Sequence, residues 1–597
     1  MKRISILVFF SLIYISTFSQ TQTNERAKWF TDSRFGMFIH WGIYSGAEGY
    51  WKGEKLRNDN NYAEWIYYRN RIEKEEYLTL LDRFAWDEIK PEEWVILAKK
   101  SGMKYITFTA KHHDGFGLWD SKVSSYDLGD YKNPKRDIVK ELADACKKHG
   151  LKLGLYYSHW VDWEHEHGWD HNKELTGISP EQYDKYWQEK VIPQMRELLT
   201  NYGEISIFWF DMWIHHSQTV VTKKQLLQLK GLIRELQPNC LVNSRLGLSI
   251  EEDPDIDFKT LGDNSLGNKK EEFPWQSPAT VAHSWGFHAT DSEWKSTTSL
   301  LKALINNVSL NGNLMLNIGP RANGDVPYEI EQRLLEMGQW LEVNGESVYG
   351  ARAFDLPKSQ HDWGRITCKK TETGTTVYLH VFNWPLNNEL YLTGIKTKPE
   401  KIYFLADKQK SPLKFDHTEV LTTIQLAKLQ PDPYVSVIVL DFIQEPEVES
   451  GLAGKTSNGG ISLSLQNVYQ GNENLSITKK DRGGTVPEYA SIKENKTLKW
   501  EIYVDKPGEK SIDISYSFQQ NPENSLIKVK TANKELIHKV SNTGKTIGEP
   551  NENWVIDNFK SNRIGKIFFP KNGIYTIEIE FQPGNNNEIM FQWVWMF

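Results

Sequence analysis

The stretch ISIFWFDMW, Ile205 to Trp213, is a nearly continuous apolar run that ends abruptly at one carboxylate, Asp211, flanked by Trp209 and Trp213. A short run of this composition reads as a strand buried on both faces. An acid at its end is costly unless it finds a partner. Two readings are open: a strand-end aspartate that caps the following turn, or a carboxylate nucleophile kept ionised by a nearby cation. Arg245, in VNSRLG at the end of the next candidate strand, is such a cation.

Outward from this segment, short apolar runs alternate with amphipathic helical stretches from about Lys28 to Gly350, the signature of an α/β fold. The candidate strands are Phe35 to Ile39, Tyr105 to Ala110, Leu153 to Tyr157, Ile205 to Phe210, Leu241 to Asn243 and Leu314 to Ile318. Helices are expected over Pro91 to Lys100, Arg136 to His149 and Tyr328 to Asn344, the last two stopping at Gly150 and Gly345. His40 and Trp41 follow the first strand, Lys111, His112, His113 and Asp114 the second, and Asp211 the fourth. Chemistry gathered at strand C-terminal ends favours a (β/α)8-type catalytic barrel over a doubly wound sheet. Two strands stay hidden, and periodicity fails from about Leu246 to His288, where a long functional loop is expected.

After Gly350 the pattern changes to period two, as in TTVYLHVFNWP and VSVIVLDF, which predicts an antiparallel β-sandwich over 351–444. A Gly, Ser and Asn-rich linker follows Glu445, and alternating strands such as TLKWEIYVDKPG and YTIEIEFQPG predict a second β-sandwich-like domain over 450–597. That domain reads either as a sugar-binding module or as a packing domain without ligand. At the other end, Lys2 and Arg3 precede an apolar run to Ile15 and then Ser16, Thr17 and Ser19. This is the form of a secretory signal peptide over 1–19, so an exported protein, periplasmic or secreted and without a membrane anchor, is expected.

Lys and Arg number 71 against 78 Asp and Glu, a net charge of −7, which supplies no cationic field for nucleic acid. The 23 Trp, 26 Tyr and 26 Phe exceed what a core of this size asks for and suit the flat faces of sugars. Cys146, Cys240 and Cys368 are the only cysteines, too few and too scattered for a disulfide framework. In KHHDGFGLWDS, contiguous His112 and His113 point to opposite sides unless the chain turns, so hydrogen bonding to substrate hydroxyls suits them better than metal binding. His40 repeats the logic. WVDWEHEHGWDHN places His165, His167 and His171 among Glu164, Glu166 and Asp170; these are the right ligands for a metal nest, but a solvated polar loop is the expected reading, with substrate-rim contact next.

RFGMFIHWGIYS, NYAEW, TAKHHDGFGLWDS, LGLYYS, FWFDM, NSRLG and NLMLNIGPRANGDVP, in that order, closely resemble glycoside hydrolase family 29, the retaining α-L-fucosidases, from about Trp29 to Phe442. The resemblance implies that Asp211 is the catalytic nucleophile and that His40, Glu64, Trp65, His112, His113, Tyr156, Trp209 and Arg245 contact the sugar. It places Trp285, in HSWGFH, near the sugar's C5 methyl. The chain departs from the family at the general acid/base: IDFKTLGDNSLG supplies Gly262 and then Asp263, and WQSPAT has Gln276 where relatives often show Glu. Asp263 is the first candidate by offset, Glu64 the second, and Glu271 or Glu272 the third.

The activity so implied is exo-acting hydrolysis of terminal α-L-fucosides on an oligosaccharide or polysaccharide, through a covalent glycosyl-enzyme and with no metal or organic cofactor. Retention needs one ionised and one protonated carboxyl about 5–5.5 Å apart. L-Galactose is L-fucose with a C6 hydroxyl, so an α-L-galactosidase acting on algal galactan is the runner-up, and a non-catalytic carbohydrate-binding protein the third reading.

Overall fold

The computed structural model describes residues 25–56, 62–131, 135–169, 177–356, 361–478, 488–545, 558–584 and 587–597. The expected signal peptide lies outside them, as do Asp170 and His171. No helix among the described residues is long and apolar enough to cross a membrane.

Eight parallel strands form the first part of the chain: β1 (Phe35–Ile39), β2 (Tyr105–Lys111), β3 (Lys152–Tyr157), β4 (Ile207–Trp209), β5 (Leu241–Val242), β6 (Lys259–Thr260), β7 (Trp275–Thr280) and β8 (Asn313–Ile318). They are hydrogen-bonded in the order β5-β4-β3-β2-β1-β8-β7-β6. A parallel bridge between Asn243 and Phe258 joins the two end strands, with Ser244 N–H donating to the Phe258 carbonyl at 2.9 Å. The sheet thus curls back on itself as a (β/α)8-type barrel.

Strand parity decides what each residue faces. Phe35, Met37 and Ile39 of β1 pack outward in the main core with Leu153, Leu155 and Tyr157 of β3 and Leu314, Leu316 and Ile318 of β8. The alternate positions Phe38, Tyr105, Tyr156, Ile207, Trp209, Leu241 and Met315 form a separate cluster inside the barrel. Continuing that inner parity by two residues places His40 and Asp211 at the mouth. Gly36 shares it near the floor, where a Cβ would stand 2.2 Å from the Tyr105 ring; the missing side chain is what lets that ring fill the barrel.

Helices cover the outside much as their sequence signals indicate. Pro91–Lys100 opens with Pro91 at its first turn. The second begins at Ile138 rather than Arg136, because Asp137 takes the N-cap and accepts the Lys140 N–H at 2.8 Å. Gly150 ends it in the left-handed region at φ 73°. Tyr328–Asn344 runs as expected into Gly345, which starts a tighter turn.

Between Arg352 and Phe442 a five-stranded and a three-stranded antiparallel sheet enclose a small core. One face of the larger sheet, through Tyr378, Tyr403, Val435, Val437 and Val439, merges with the barrel core. Between Leu452 and Met596 a five-stranded and a six-stranded sheet enclose a third core that includes none of the barrel's residues.

Candidate active site

A cavity of about 490 Å³ opens at the C-terminal ends of the barrel strands. Its lining includes the expected nucleophile, the expected sugar contacts and the first two acid/base candidates: His40, Glu64, Trp65, His112, His113, Tyr156, Trp209, Asp211, Arg245, Asp263 and Trp285. Phe38, Tyr62, Arg69, Trp213 and Gly262 complete it.

Asp211 keeps 16% of its side-chain surface exposed and is held from three sides. Arg245 Nη1 donates to Oδ1 at 2.8 Å, Tyr156 donates its hydroxyl proton to Oδ2 at 3.0 Å, and His113 Nε2 lies 3.5 Å from Oδ2. Trp160 Nε1 donates to the Asp211 carbonyl at 2.8 Å, so the main chain is fixed as well. Burial alone would raise the pKa of this carboxyl; the hydrogen bond with His113 and the Arg245 charge outweigh it and hold Asp211 well below the usual carboxylate range. It is not a helix cap.

The same guanidinium reaches a second acid. Arg245 Nη2 donates to Asp263 Oδ1 at 2.6 Å and to the Leu261 carbonyl at 2.8 Å. Asp263 sits at the rim with 44% of its side chain exposed, although the cleft walls crowd it. Partial desolvation is the largest influence on it; together with the nearby Asp211 charge it outweighs Arg245 and moves the Asp263 pKa upward. One cation therefore anchors two carboxyls whose surroundings drive their proton affinities in opposite directions.

Glu64 is 1% exposed and accepts the Gly286 N–H at 2.9 Å. Burial pushes its pKa up to about 7. Of the remaining candidates for proton donor, Glu271 pairs with Lys259 at 3.2 Å, and neither it nor Glu272 lines the cavity. Gln276 lies on the inner face of β7, where it accepts from Trp209 Nε1 at 3.0 Å and donates to the Tyr105 hydroxyl at 2.8 Å. It braces an indole and has no place at the mouth.

The imidazoles are set by their neighbours. Asn317 donates its amide N–H to the Trp285 carbonyl at 2.7 Å, so its oxygen faces His40 Nδ1 at 2.6 Å. His40 Nδ1 then carries the proton and Nε2 is left as an acceptor. Burial lowers the His40 pKa to about 4, so the ring is neutral. His112 and His113 both face the cavity, because register shifts between Thr109 and Lys111 and the chain turns at Gly115, φ 80°. Burial, then the neighbouring imidazoles, holds His112 well below the usual range.

Other strand-end residues serve the scaffold. Lys111 and Asp162 are fully buried partners at 2.7 Å, and Lys190 approaches the same Asp162 oxygen at 2.9 Å. Glu164 joins this network through Lys190 at 3.1 Å and through Lys74, so it belongs to an ion-pair cluster and not to a solvated loop. The loop so anchored carries Ser158, which bonds His113 Nδ1 at 2.7 Å, and Trp160. Asp114 accepts from the Tyr77 hydroxyl at 3.0 Å.

Tyr62 and Arg69 escaped sequence reading. They lie on the connection after β1 with no periodicity to expose them; the available signals are Tyr62 inside NYAEW, two residues before Glu64, and Arg69 four residues after Trp65, whose ring it covers at 4.7 Å.

A (β/α)8 barrel that gathers acids of opposed proton affinity, neutral imidazoles and indole rings in a sugar-sized hollow is the architecture of a glycoside hydrolase. A family model described as alpha-L-fucosidase matches residues 11–346. The alpha-L-fucosidase of Dictyostelium discoideum is 28% identical over 468 residues, spanning 74% of this chain and 99% of its own length. The alpha-L-fucosidase of Vibrio sp. strain EJY3 superposes with a TM-score of 0.74 at 26% identity, over 97% of this chain and 99% of that one. A Bacteroides thetaiotaomicron alpha-L-fucosidase, solved as a trapped covalent intermediate, superposes with a TM-score of 0.61 at 26% identity over 70% of this chain and 97% of its own. The chain belongs to the α-L-fucosidase family. The Vibrio match covers the C-terminal sheets as well, so the likeness extends past Phe442, where the resemblance in sequence ends.

Proposed function

We propose that this enzyme is an exo-acting, retaining α-L-fucosidase in which Asp211 is the nucleophile and Asp263 the general acid/base. The reading rests on the Arg245 guanidinium, which grips both carboxyls while their surroundings press one toward ionisation and the other toward protonation. Asp263 suits the acid better than Glu64, because a terminal sugar enters a blind pocket and its leaving oxygen faces the rim, where Asp263 stands.

Asp211 attacks the anomeric carbon as Asp263 passes its proton to the departing oxygen and the glycosidic bond breaks. Asp263 then takes a proton from water, which attacks the same carbon and frees Asp211. His40, as an acceptor, selects a hydroxyl that donates; Trp285, Phe38 and Trp209 form the apolar side that suits a methyl substituent. The trapped intermediate of the Bacteroides relative supports retention here by likeness. We assign the catalytic barrel to 28–350, the first sandwich to 351–444 and the C-terminal all-β domain to 450–597, with 1–19 directing export.

Proton NMR of nitrophenyl α-L-fucoside hydrolysis tests the mechanism: α-L-fucose should form first, and β-L-fucose first would refute retention. Asp211→Ala should abolish turnover with the fold intact, and near-normal turnover would remove the assignment. Preference for the α-L-galactoside would overturn the substrate.

A further inference from the structure

Directly after Asp211 the chain reads Met212, Trp213, Ile214, His215, His216. The two imidazoles converge with Glu252, on the turn that follows Arg245. His215 Nε2 is 3.1 Å and His216 Nε2 3.6 Å from Glu252 Oε1, and the three ligand atoms lie within 4.8 Å of one another. In a tetrahedral zinc site with bonds of about 2.0–2.2 Å, adjacent ligand atoms stand roughly 3.3–3.5 Å apart. The two measured edges bracket that spacing.

The groups behind the ligands are also in place. Ser249 N–H holds Glu252 Oε2 at 3.0 Å, which leaves Oε1 facing the imidazoles. His215 Nδ1 accepts the Ser217 N–H at 3.3 Å and lies 2.7 Å from Ser217 Oγ, which fixes the ring with Nε2 aimed at Glu252; when Nε2 gives up its proton to an ion, that Oγ is in place to accept from Nδ1. His216 Nε2 is buried and has no hydrogen-bond partner. A plain His–Glu contact satisfies one imidazole and leaves that second nitrogen orphaned.

We propose that His215, His216 and Glu252 form a binding site for a divalent transition metal, zinc being the best match to two imidazoles and one carboxylate. The fourth position is open to solvent, since His215 is 48% exposed. The ion ties the loop that leaves Asp211 to the turn that leaves Arg245, and so braces the rim carrying Trp213. It touches no group assigned to the reaction and plays no part in bond cleavage.

Full-length protein stripped with chelator and titrated with Zn²⁺ alone at pH 7.5 by calorimetry should bind one equivalent. Glu252→Gln, which keeps its shape, and His216→Ala should each weaken that binding at least about tenfold, the range seen when even supporting partners of a ligand are lost. Both metal-free variants should hydrolyse nitrophenyl α-L-fucoside as the metal-free parent does, which reports that they fold. Saturating Zn²⁺ should raise the parent's Tm and leave the variants' unchanged. No binding by the parent, or equal binding by parent and variants, overturns the proposal.

Discussion

Replacing Arg245 by Met removes a charge and keeps the length of the stem. Arg245 Nη1 lies 2.8 Å from Asp211 Oδ1. With charge centres about 4 Å apart and an effective dielectric constant of about 20, the lost attraction is about 4 kcal/mol. At 1.36 kcal/mol per pKa unit this moves the acid limb of kcat/KM upward by about 3 pH units. The loss also frees Asp263 from the cation that opposes its protonation, so the basic limb moves upward in the same variant. The assay is kcat/KM against pH with nitrophenyl α-L-fucoside, at constant ionic strength, for both proteins. A displaced acid limb with an unmoved basic limb would take the acid/base role from Asp263. A fall in rate with neither limb displaced would refute the electrostatic reasoning and leave Arg245 a packing group.

Glu64, pushed up to about 7 in the folded protein from an ordinary 4.5, contributes stability that is fully present below about 4.5 and is lost as pH rises through 7. Glu64→Gln should therefore gain up to about 3 kcal/mol relative to the parent between pH 5 and pH 8; Tm measured at both values checks this, and parallel shifts would contradict it. Asp162→Ala leaves the buried Lys111 and Lys190 without their shared counter-charge and should destabilise the barrel by about 3–5 kcal/mol. Urea unfolding followed by near-ultraviolet circular dichroism reads the loss, and a change under 1 kcal/mol would show that the cluster is dispensable.

The barrel is legible wherever strands are apolar on both faces, as in FGMFI and YITFTA, because parity then costs nothing to read. It is hidden at β6, only Lys259–Thr260, and at β7, WQSPAT, whose inner face carries Gln276 to hold Trp209 and Tyr105. Polar residues buried for bracing look like a loop. Asp211 and Arg245 stand out because a charge ending an apolar run demands a partner. The same reasoning cannot separate Asp114 and Lys111, buried in hydrogen-bonded and ion-paired positions, from residues at the mouth, since both kinds follow a strand. Glu164 reads as part of a solvated loop for a related reason: its partners, Lys74 and Lys190, are remote in sequence.

The way the apolar interiors are divided has a calorimetric consequence. The barrel and the sheet behind it share side chains such as Tyr378 and Val437, whereas the interior built from Trp500, Ile577 and Phe591 is separate and its domain meets the first sandwich through a small cluster of Tyr391, Val420 and Leu421 with Leu452 and Tyr503. Cooperativity follows shared packing, so heating should resolve two melting events instead of one. A lesion such as Asp162→Ala would then displace chiefly the event that belongs to the barrel, and a single melting temperature quoted for this chain would average two distinct quantities.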